Sequence, residues 1–356
     1  MFCDNCGFKC DDSMDHCPSC GKKLKEKEIA YCRKCGYKID SSMTRCPICN
    51  TQYAPEKKFE KIDETRMSEL RDASGFINLK TKWWHHLLIA CGGYLLMEVL
   101  FSLIGSFIIG YYQGKGTDFS CMVDETCPLE TQLLYTKISA TTQIISELII
   151  IGIVMLCFMK MLKVFFKEFK DKKTWAWIGF GLIMLYAGNI IYNIFLNLIK
   201  FPQADSTNQV GVNEIIRSNP LFGFLFVVIA APIFEEIIFR FGLFRCFTNK
   251  GKKWEIAGIV LTTLIFGGVH MIATLQTAFA DMNNIDTHLL FVDFVGSFPI
   301  YLIGAFALTF TYYMSKNLLA SIGAHMAVNA ISFFAIISLP QVEECIRQFI
   351  QLITRL

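Results

Sequence analysis

The sequence predicts an all-α polytopic membrane protein of about seven transmembrane helices, with a cytoplasmic N-terminal arm that carries two small cysteine-rich modules. Three observations predict it. Only 18% of the 356 residues are charged and 53% are apolar, where a soluble domain carries nearer a quarter charged. Seven apolar runs are each long enough to cross about 30 Å of hydrocarbon. Nine of the fifteen cysteines fall within the first 49 residues. Charge divides the chain at the same place. Residues 1–82 hold 16 basic and 13 acidic side chains, whereas residues 83–356 hold 18 of each. The first apolar run begins near Leu87, behind cysteine-rich sequence, so no cleavable signal peptide is expected.

The cysteines of the arm repeat with a 29-residue period. FCDNCGFKCDDSMDHCPSC at 2–20 aligns with YCRKCGYKIDSSMTRCPIC at 31–49, ten of 19 positions being identical. Each copy reads C-x2-C-x10-C-x2-C: Cys3, Cys6, Cys17 and Cys20, then Cys32, Cys35, Cys46 and Cys49. Paired CxxC knuckles suit tetrahedral Zn²⁺, so 1–24 and 29–53 are predicted as two zinc ribbons, each holding one structural ion. Gly7 and Gly36 follow the first knuckle, where a positive φ is often needed. Cys10 aligns with Ile39 and His16 with Arg45, which removes both from the ligand set. Segments this short cannot bury enough core to fold alone, and the metal supplies the fold. Closed sites of this kind suit docking to a cytosolic protein partner. Two zinc ions on eight thiolates turn the arm's net charge slightly negative, and nothing supports a nucleic-acid partner. Residues 54–82 are polar and charge-mixed, a linker.

The apolar runs lie at about Leu87–Tyr112, Ser139–Met159, Trp175–Leu198, Leu221–Phe244, Ile256–Ala273, Leu290–Met314 and Leu318–Leu339. The first three make up a segment at 83–200 and the last four a core at 215–335. Lys80 and Lys82 precede the first run. Lys160, Lys163, Lys167, Lys170, Lys172 and Lys173 follow the second, Arg245, Lys250, Lys252 and Lys253 the fourth, and Lys316 the sixth. The alternate loops are acidic, with Asp118, Asp124, Glu125 and Glu130, and then Asp281 and Asp286. All basic segments share one side if the N-terminus is cytoplasmic, which the positive-inside rule selects. Cys121 and Cys127 then lie outside, where a disulfide can form. In the tail 341–356, Val342, Ile346, Phe349, Ile350, Ile353 and Leu356 are spaced for an amphipathic helix on the outer interface.

Ionisable groups inside a span are costly and tend to be functional. The fourth run holds PIFEEIIFRFG, in which Glu236 and Arg240 share a helix face and can pair while Glu235 points one step round. The fifth holds Phe266, Gly267, Gly268 and His270, whose glycines allow a neighbouring helix close approach. The seventh holds His325 and Asn329, flanked by Gly323, Ala324 and Ala327. Each set alone reads as a staple or as packing glue; three on three spans read as one shared polar site. Glu98, Glu147 and the stripe Asn189, Asn193 and Asn197 read as interhelical hydrogen bonding.

The ordered motifs EEIIFR at 235–240, FGGVH at 266–270 and HMAVN at 325–329 resemble the CPBP family, also called Abi, of CAAX prenyl proteases and bacteriocin-processing enzymes. The family pattern is EExxxR, FxxxH and HxxxN on separate transmembrane helices, and the basic stretch FRFGLFRCFTNKGKK is similar too. One departure is Phe241 between Arg240 and Gly242, where the family often has glycine directly. The resemblance covers about 215–335 and implies an intramembrane endopeptidase acting on a membrane-associated peptide or protein in a bacterial cell membrane.

Chemistry assigns the same roles that the resemblance implies. Glu235, assisted by His270, takes a proton from water; His325 and Asn329 donate to the oxyanion; Glu236, Arg240 and Phe266 support them. No cofactor is expected in this site. At about 1.5 Å per residue Glu235 is ~15 Å from Arg245 and His325 is ~14 Å from Lys316, whereas His270 is ~24 Å from Trp254, a depth mismatch that helix tilt or a later start of the fifth span would close. Three rivals stand beside this reading. One is a zinc metalloendopeptidase liganded by Glu235, His270 and His325, although HExxH is absent. Another is a non-catalytic membrane regulator or bacteriocin immunity protein. The third is a transporter, for which the spans show no inverted repeat.

Overall fold

A computed structural model describes residues 18–20, 29–32, 34–40, 45–52, 72, 74–77, 79–122, 127–202, 204–282 and 284–354. The chain divides into two compact units, Met1–Asn78 and Leu79–Leu356.

In the first unit β1 (Ile29–Tyr31) and β2 (Lys38–Asp40) pair antiparallel, with Ile29 opposite Asp40 and Tyr31 opposite Lys38. One turn joins the two strands and a like turn follows the hairpin. Gly36 N–H donates to Cys32 O at 2.7 Å and Asn50 N–H to Cys46 O at 2.8 Å. Both turns close on a left-handed residue, Gly36 at φ 70° and Asn50 at φ 54°. The positive φ expected at Gly36 is present. In the second knuckle asparagine, which tolerates this region better than most residues, does the same work. Cys3, Cys6, Cys10, His16 and Cys17, and hence the first predicted ribbon apart from Cys20, lie outside the described residues.

The second unit is helical. In chain order it comprises α1 (Trp83–Gly114), α2 (Leu129–Cys157), α3 (Met159–Phe169), α4 (Lys172–Leu198), α5 (Thr207–Ser218), α6 (Pro220–Phe247), α7 (Lys252–His270), α8 (Ile272–Ala278), α9 (Thr287–Ser315) and α10 (Leu318–Thr354). Among the described residues six helices are long and apolar enough to cross a membrane, or seven when α7 and α8, bent by 42° at Met271, count as one span. All seven predicted runs are thus helical, and the chain is a multi-pass membrane protein. The second span starts ten residues before the sequence suggested, since Thr131, Gln132, Thr136 and Lys137 lower the hydropathy of its first turns without breaking the helix. The connection after the third span hides α5, which sequence reading left unassigned. Ser206 caps it by accepting from Gln209 N–H at 3.1 Å, and Ile216, fully buried, packs it against Val228 of α6 and Phe333 of α10. The tail continues the helix of the last span to Thr354. Cys121 and Cys127 form the disulfide.

α6 is not a regular α-helix. It carries π-helical turns at Phe224–Ala230 and Glu236–Leu243, separated by one α-helical stretch at Ala231–Glu235 that contains Pro232. A proline inside a helix removes a donor and clashes with the preceding turn, and wider turns on either side absorb the mismatch. Glu235 and Glu236 stand at that junction. The extra Phe241 leaves Gly242 where α6 crosses α1. A Cβ there would meet Ala90 N and Cα at 3.0 and 3.1 Å, so the glycine is required by the crossing itself.

Candidate active site

Four helices build the polar site. Glu236 and Arg240 face one another one turn apart on α6, with Arg240 Nη1 donating to Glu236 Oε1 at 2.8 Å, and both side chains are fully buried. A buried pair is better tolerated the more of its other donors and acceptors are met, and of these only Arg240 Nε is buried without a partner. Here Arg240 Nη2 donates to Ala305 O of α9 at 3.1 Å, and its guanidinium lies 4.6 Å over the Phe266 ring of α7. Ser321 of α10 donates its hydroxyl to Glu236 Oε2. Ser321 lies one turn before His325, a spacing that sequence reading could have used.

His325 bridges the two glutamates. Its Nδ1 is 3.0 Å from Glu236 Oε1 and its Nε2 is 3.7 Å from Glu235 Oε2. A carboxylate paired to arginine accepts and does not donate, so Nδ1 carries a proton, and Nε2 faces Glu235. Glu235 itself has a side chain about one-fifth exposed, and its Oε2 is buried without a hydrogen-bond partner. The two neighbouring acids are therefore differentiated: one is saturated, the other is not.

His270 ends α7 and donates Nδ1–H to the Phe266 carbonyl at 2.9 Å. A carbonyl only accepts, so Nδ1 carries a proton. The ring sits between Phe266 (centroids 4.5 Å apart) and Tyr301 (4.6 Å). No ion pair or hydrogen bond joins it to Glu235. Phe266 separates His270 from His325, its centroid being 6.3 Å from the latter. α7 starts earlier than predicted, at Lys252. Only one of the two glycines beside His270 acts as expected. A Cβ on Gly267 would strike Leu302 of α9 at 2.7 Å, whereas Gly268 faces open space. Asn329 donates Nδ2–H to the Val227 carbonyl at 2.8 Å, a carbonyl in the π-helical part of α6.

Sequence reading missed Tyr301 as well as Ser321. Tyr301 hydroxyl meets Ser206 Oγ at 2.6 Å and Asn208 Nδ2 at 3.3 Å, tying the start of α5 to the ring that stacks on His270. An aromatic in an apolar run carries no signal that separates this use from lipid contact. Of the stripe Asn189, Asn193 and Asn197, Asn193 bonds along its own helix, its Nδ2 donating to the Asn189 carbonyl at 2.8 Å, and Asn189 Oδ1 is buried without a partner. Glu147 is likewise met first from its own helix, by Gln143 Nε2 at 2.9 Å.

In the N-terminal unit, Cys32, Cys35, Cys46 and Cys49 offer sulfurs that all lie within 4.8 Å of one another. Cys32 and Cys49 are 3.2 Å apart and Cys35 and Cys46 are 3.6 Å apart, against about 3.8 Å for sulfurs around tetrahedral zinc. The set can hold one metal ion. Burial pushes the Cys35 and Cys46 thiols above their usual range, so gathering thiolates there needs a cation to offset them. It is the one such cluster among the described residues.

Residues 217–331 match the family model of the Rce1-like type II CAAX prenyl endopeptidases, a segment that begins at the end of α5 and includes all three motifs. The membrane-embedded CAAX protease MroQ of Staphylococcus aureus is 34% identical over 111 residues, which are 29% of this chain and 44% of that protein. An uncharacterized protein of Mycoplasma capricolum is 27% identical over 181 residues, 49% of this chain and 47% of the relative. The UPF0177 protein YbdI of Lactococcus lactis is 30% identical over 102 residues, 28% of this chain and 56% of the relative. The chain spans about half the length of these relatives. No solved structure matches it significantly.

Proposed function

We propose that the protein is an intramembrane endopeptidase of the CAAX-protease type, cleaving a membrane-associated peptide or protein by water that Glu235 activates. The observation that carries this reading is the contrast within the glutamate pair. Glu236 is saturated by Arg240, Ser321 and His325, while the adjacent Glu235 keeps a buried carboxylate oxygen without a partner, 3.7 Å from His325 Nε2. A carboxylate oxygen left free of hydrogen bonds is open to accept one from water. Glu235 takes one proton from water as the water oxygen bonds to the scissile carbonyl carbon. The carbon–nitrogen bond then breaks, and the proton passes to the leaving nitrogen. With Nδ1 committed to Phe266, His270 has Nε2 left for its assisting role, and the lack of direct contact with Glu235 suits a water held between the two. His325 can donate to the oxyanion only in its doubly protonated form, through Nε2–H, with Nδ1–H kept on Glu236. Asn329 donates the amide hydrogen that Val227 does not use.

The alternation of basic and acidic connections supports a cytoplasmic N-terminus. Zinc is the ion that four cysteines in two knuckles fit best, and a structural ion in each ribbon, with a cytosolic docking role, follows from the repeat. The deciding experiment compares wild type with Glu235→Gln in membranes. Loss of a cleavage product with unchanged folding supports the reading, and peptides trapped on the variant and sequenced would name the substrate. Cellular function retained by Glu235→Gln would point instead to a non-catalytic membrane regulator. A third zinc per chain, lost together with activity on chelation, would make Glu235, His270 and His325 metal ligands.

A further inference from the structure

His270 is the last residue of α7, and the chain bends by 42° into α8 directly behind it. A side chain in that place has no following turn of its own helix to pack against, so its aim has to come from outside. The bond from Nδ1 to the Phe266 carbonyl fixes one edge of the ring. Phe266, at a tilt of 30°, and Tyr301 of α9, at 31°, hold the ring between them. Tyr301 is held in its turn. Its hydroxyl accepts from Asn208 Nδ2 at 3.3 Å and meets Ser206 Oγ at 2.6 Å, and Ser206 is the buried N-cap of α5.

The next residue of α5 is gripped by the same helix. Thr207 N–H and the Thr207 hydroxyl both donate to Asp293 Oδ2 of α9 at 3.2 Å. Asp293 is 2% exposed, and the same oxygen accepts from the buried Thr274 hydroxyl of α8 at 2.5 Å. A carboxylate with three donors at the positive end of a helix is a firm anchor. A long side chain on a helix leans toward its N-terminus, which carries the Tyr301 hydroxyl back toward Asp293, so α9 holds two consecutive residues of α5 from positions about two turns apart. The far end of α5 is fixed by Ile216 against Phe333, one turn beyond Asn329 on α10. Stacking alone would be served as well by phenylalanine. A hydroxyl met by two side chains from the start of α5 also stops the phenol ring from sliding in its own plane. We propose that Tyr301 is a positioning residue for His270: held by Ser206 and Asn208, it keeps the imidazole on the Phe266 carbonyl, so that Nε2 stays turned to the water that Glu235 activates. The start of α5, which supplies this hold, lies outside the segment that matches the protease family. The role rests on the reading of His270 as the assistant of Glu235.

The test follows the His270 ring in the full-length protein in lipid nanodiscs by nuclear magnetic resonance. The six histidines are labelled at Cε1, and the His270 signal is assigned by its absence from His270→Ala. Aromatic rings stacked on an imidazole shift its Cε1–H resonance upfield. In Tyr301→Leu the resonance is expected to move downfield. In Tyr301→Phe, which keeps the ring and loses the hold of α5, it is expected to broaden and move part of the way. Cleavage of the peptide captured on Glu235→Gln is read separately. Tyr301→Leu is expected to lower kcat about ten- to hundredfold, the order of loss from misplacing a catalytic group by about an ångström, with KM unchanged, and Tyr301→Phe to recover part of it. The double variant His270→Ala with Tyr301→Leu is expected to be no slower than His270→Ala alone, because Tyr301 acts only through that ring. A further loss in the double variant would make Tyr301 a general support of the fold and overturn the proposal. So would a His270 resonance unmoved in Tyr301→Leu, or a Tyr301→Phe protein identical to wild type in both readouts. This last arm stands even if Tyr301→Leu fails to fold. If the wild type cleaves nothing, the endopeptidase reading fails while the resonance still decides whether Tyr301 and α5 hold the imidazole.

Discussion

Removing Arg240 should unfold the site rather than simply slow it. In Arg240→Met the carboxylate of Glu236 stays where it was, fully buried, with only His325 and Ser321 to meet it. Coulomb's law at an effective dielectric of about 20 makes the 2.8 Å contact worth about 6 kcal/mol before the cost of burying the ions. Breaking a buried pair from one side costs about 3–5 kcal/mol, because the orphaned charge has nowhere to go. Arg240→Met should therefore be destabilised by about that amount, and Arg240→Lys by less, since an ammonium can hold Glu236 but cannot also reach Ala305 O in the same fork. The double variant Glu236→Gln with Arg240→Met should recover most of the loss, as no charge then remains. Unfolding in mixed micelles, followed by far-ultraviolet circular dichroism and analysed as a double-mutant cycle, reads this directly. A single variant within about 0.5 kcal/mol of wild type, or a double variant as unstable as the two singles added, would refute the assignment of this pair as the buried staple of the site.

Other outcomes follow from the same geometry. Cleavage should be lost in Glu235→Gln with stability retained, and a His270→Ala protein with near-normal cleavage would remove His270 from the base role. Asn329→Ala should cost about 1–2 kcal/mol by orphaning the Val227 carbonyl, visible in the same unfolding assay, and should lower kcat as well if its second amide hydrogen serves the oxyanion. Cys46→Ser should abolish metal binding at the second knuckle pair, reducing zinc per chain by one when measured by elemental mass spectrometry. Because burial raises the Cys35 and Cys46 thiols, loading the metal should release protons, and affinity should fall as pH falls. Finally, an impermeant maleimide added to intact cells should label Cys121 and Cys127 only after reduction, and the ribbon cysteines only after permeabilisation; the reverse pattern would invert the topology.

Much of this fold is legible because the bilayer imposes a simple requirement. A run such as 318–338 must be helical whatever its packing, since no other conformation meets its backbone hydrogen bonds in lipid. The same requirement carried the three motifs, because Glu, Arg, His and Asn stand out against an apolar background. What stayed hidden is what the background itself does. The π-helical turns of α6 arise from the accommodation of Pro232 against neighbouring helices, and a pattern read at 100° per residue has no means of registering them. Tyr301 looks like any aromatic of a span until Ser206 and Asn208 are brought to it by α5, a helix too polar to be read as a span and too short to stand out. The stripe on α4 misled for a related reason: an asparagine can spend its side chain on the carbonyl one turn back in its own helix, as Asn193 does, rather than on a neighbouring helix.

Adjacent glutamates are an economical way to build an unsatisfied base. Consecutive residues on a helix diverge by about a quarter of a turn, so one acid can be given every partner the neighbourhood provides while the other receives none from the same helix. Glu236 takes Arg240 from α6, Ser321 and His325 from α10. Those bonds hold the backbone of the junction and pin the imidazole, and the pinned imidazole is what stands 3.7 Å from Glu235. The cost of burying one charge is thereby met by interactions that also orient the partner of the second. This makes a specific demand on exchange of the two acids: Glu235 and Glu236 are not interchangeable, and a Gln at 236 should disturb His325 and stability together while a Gln at 235 should spare both.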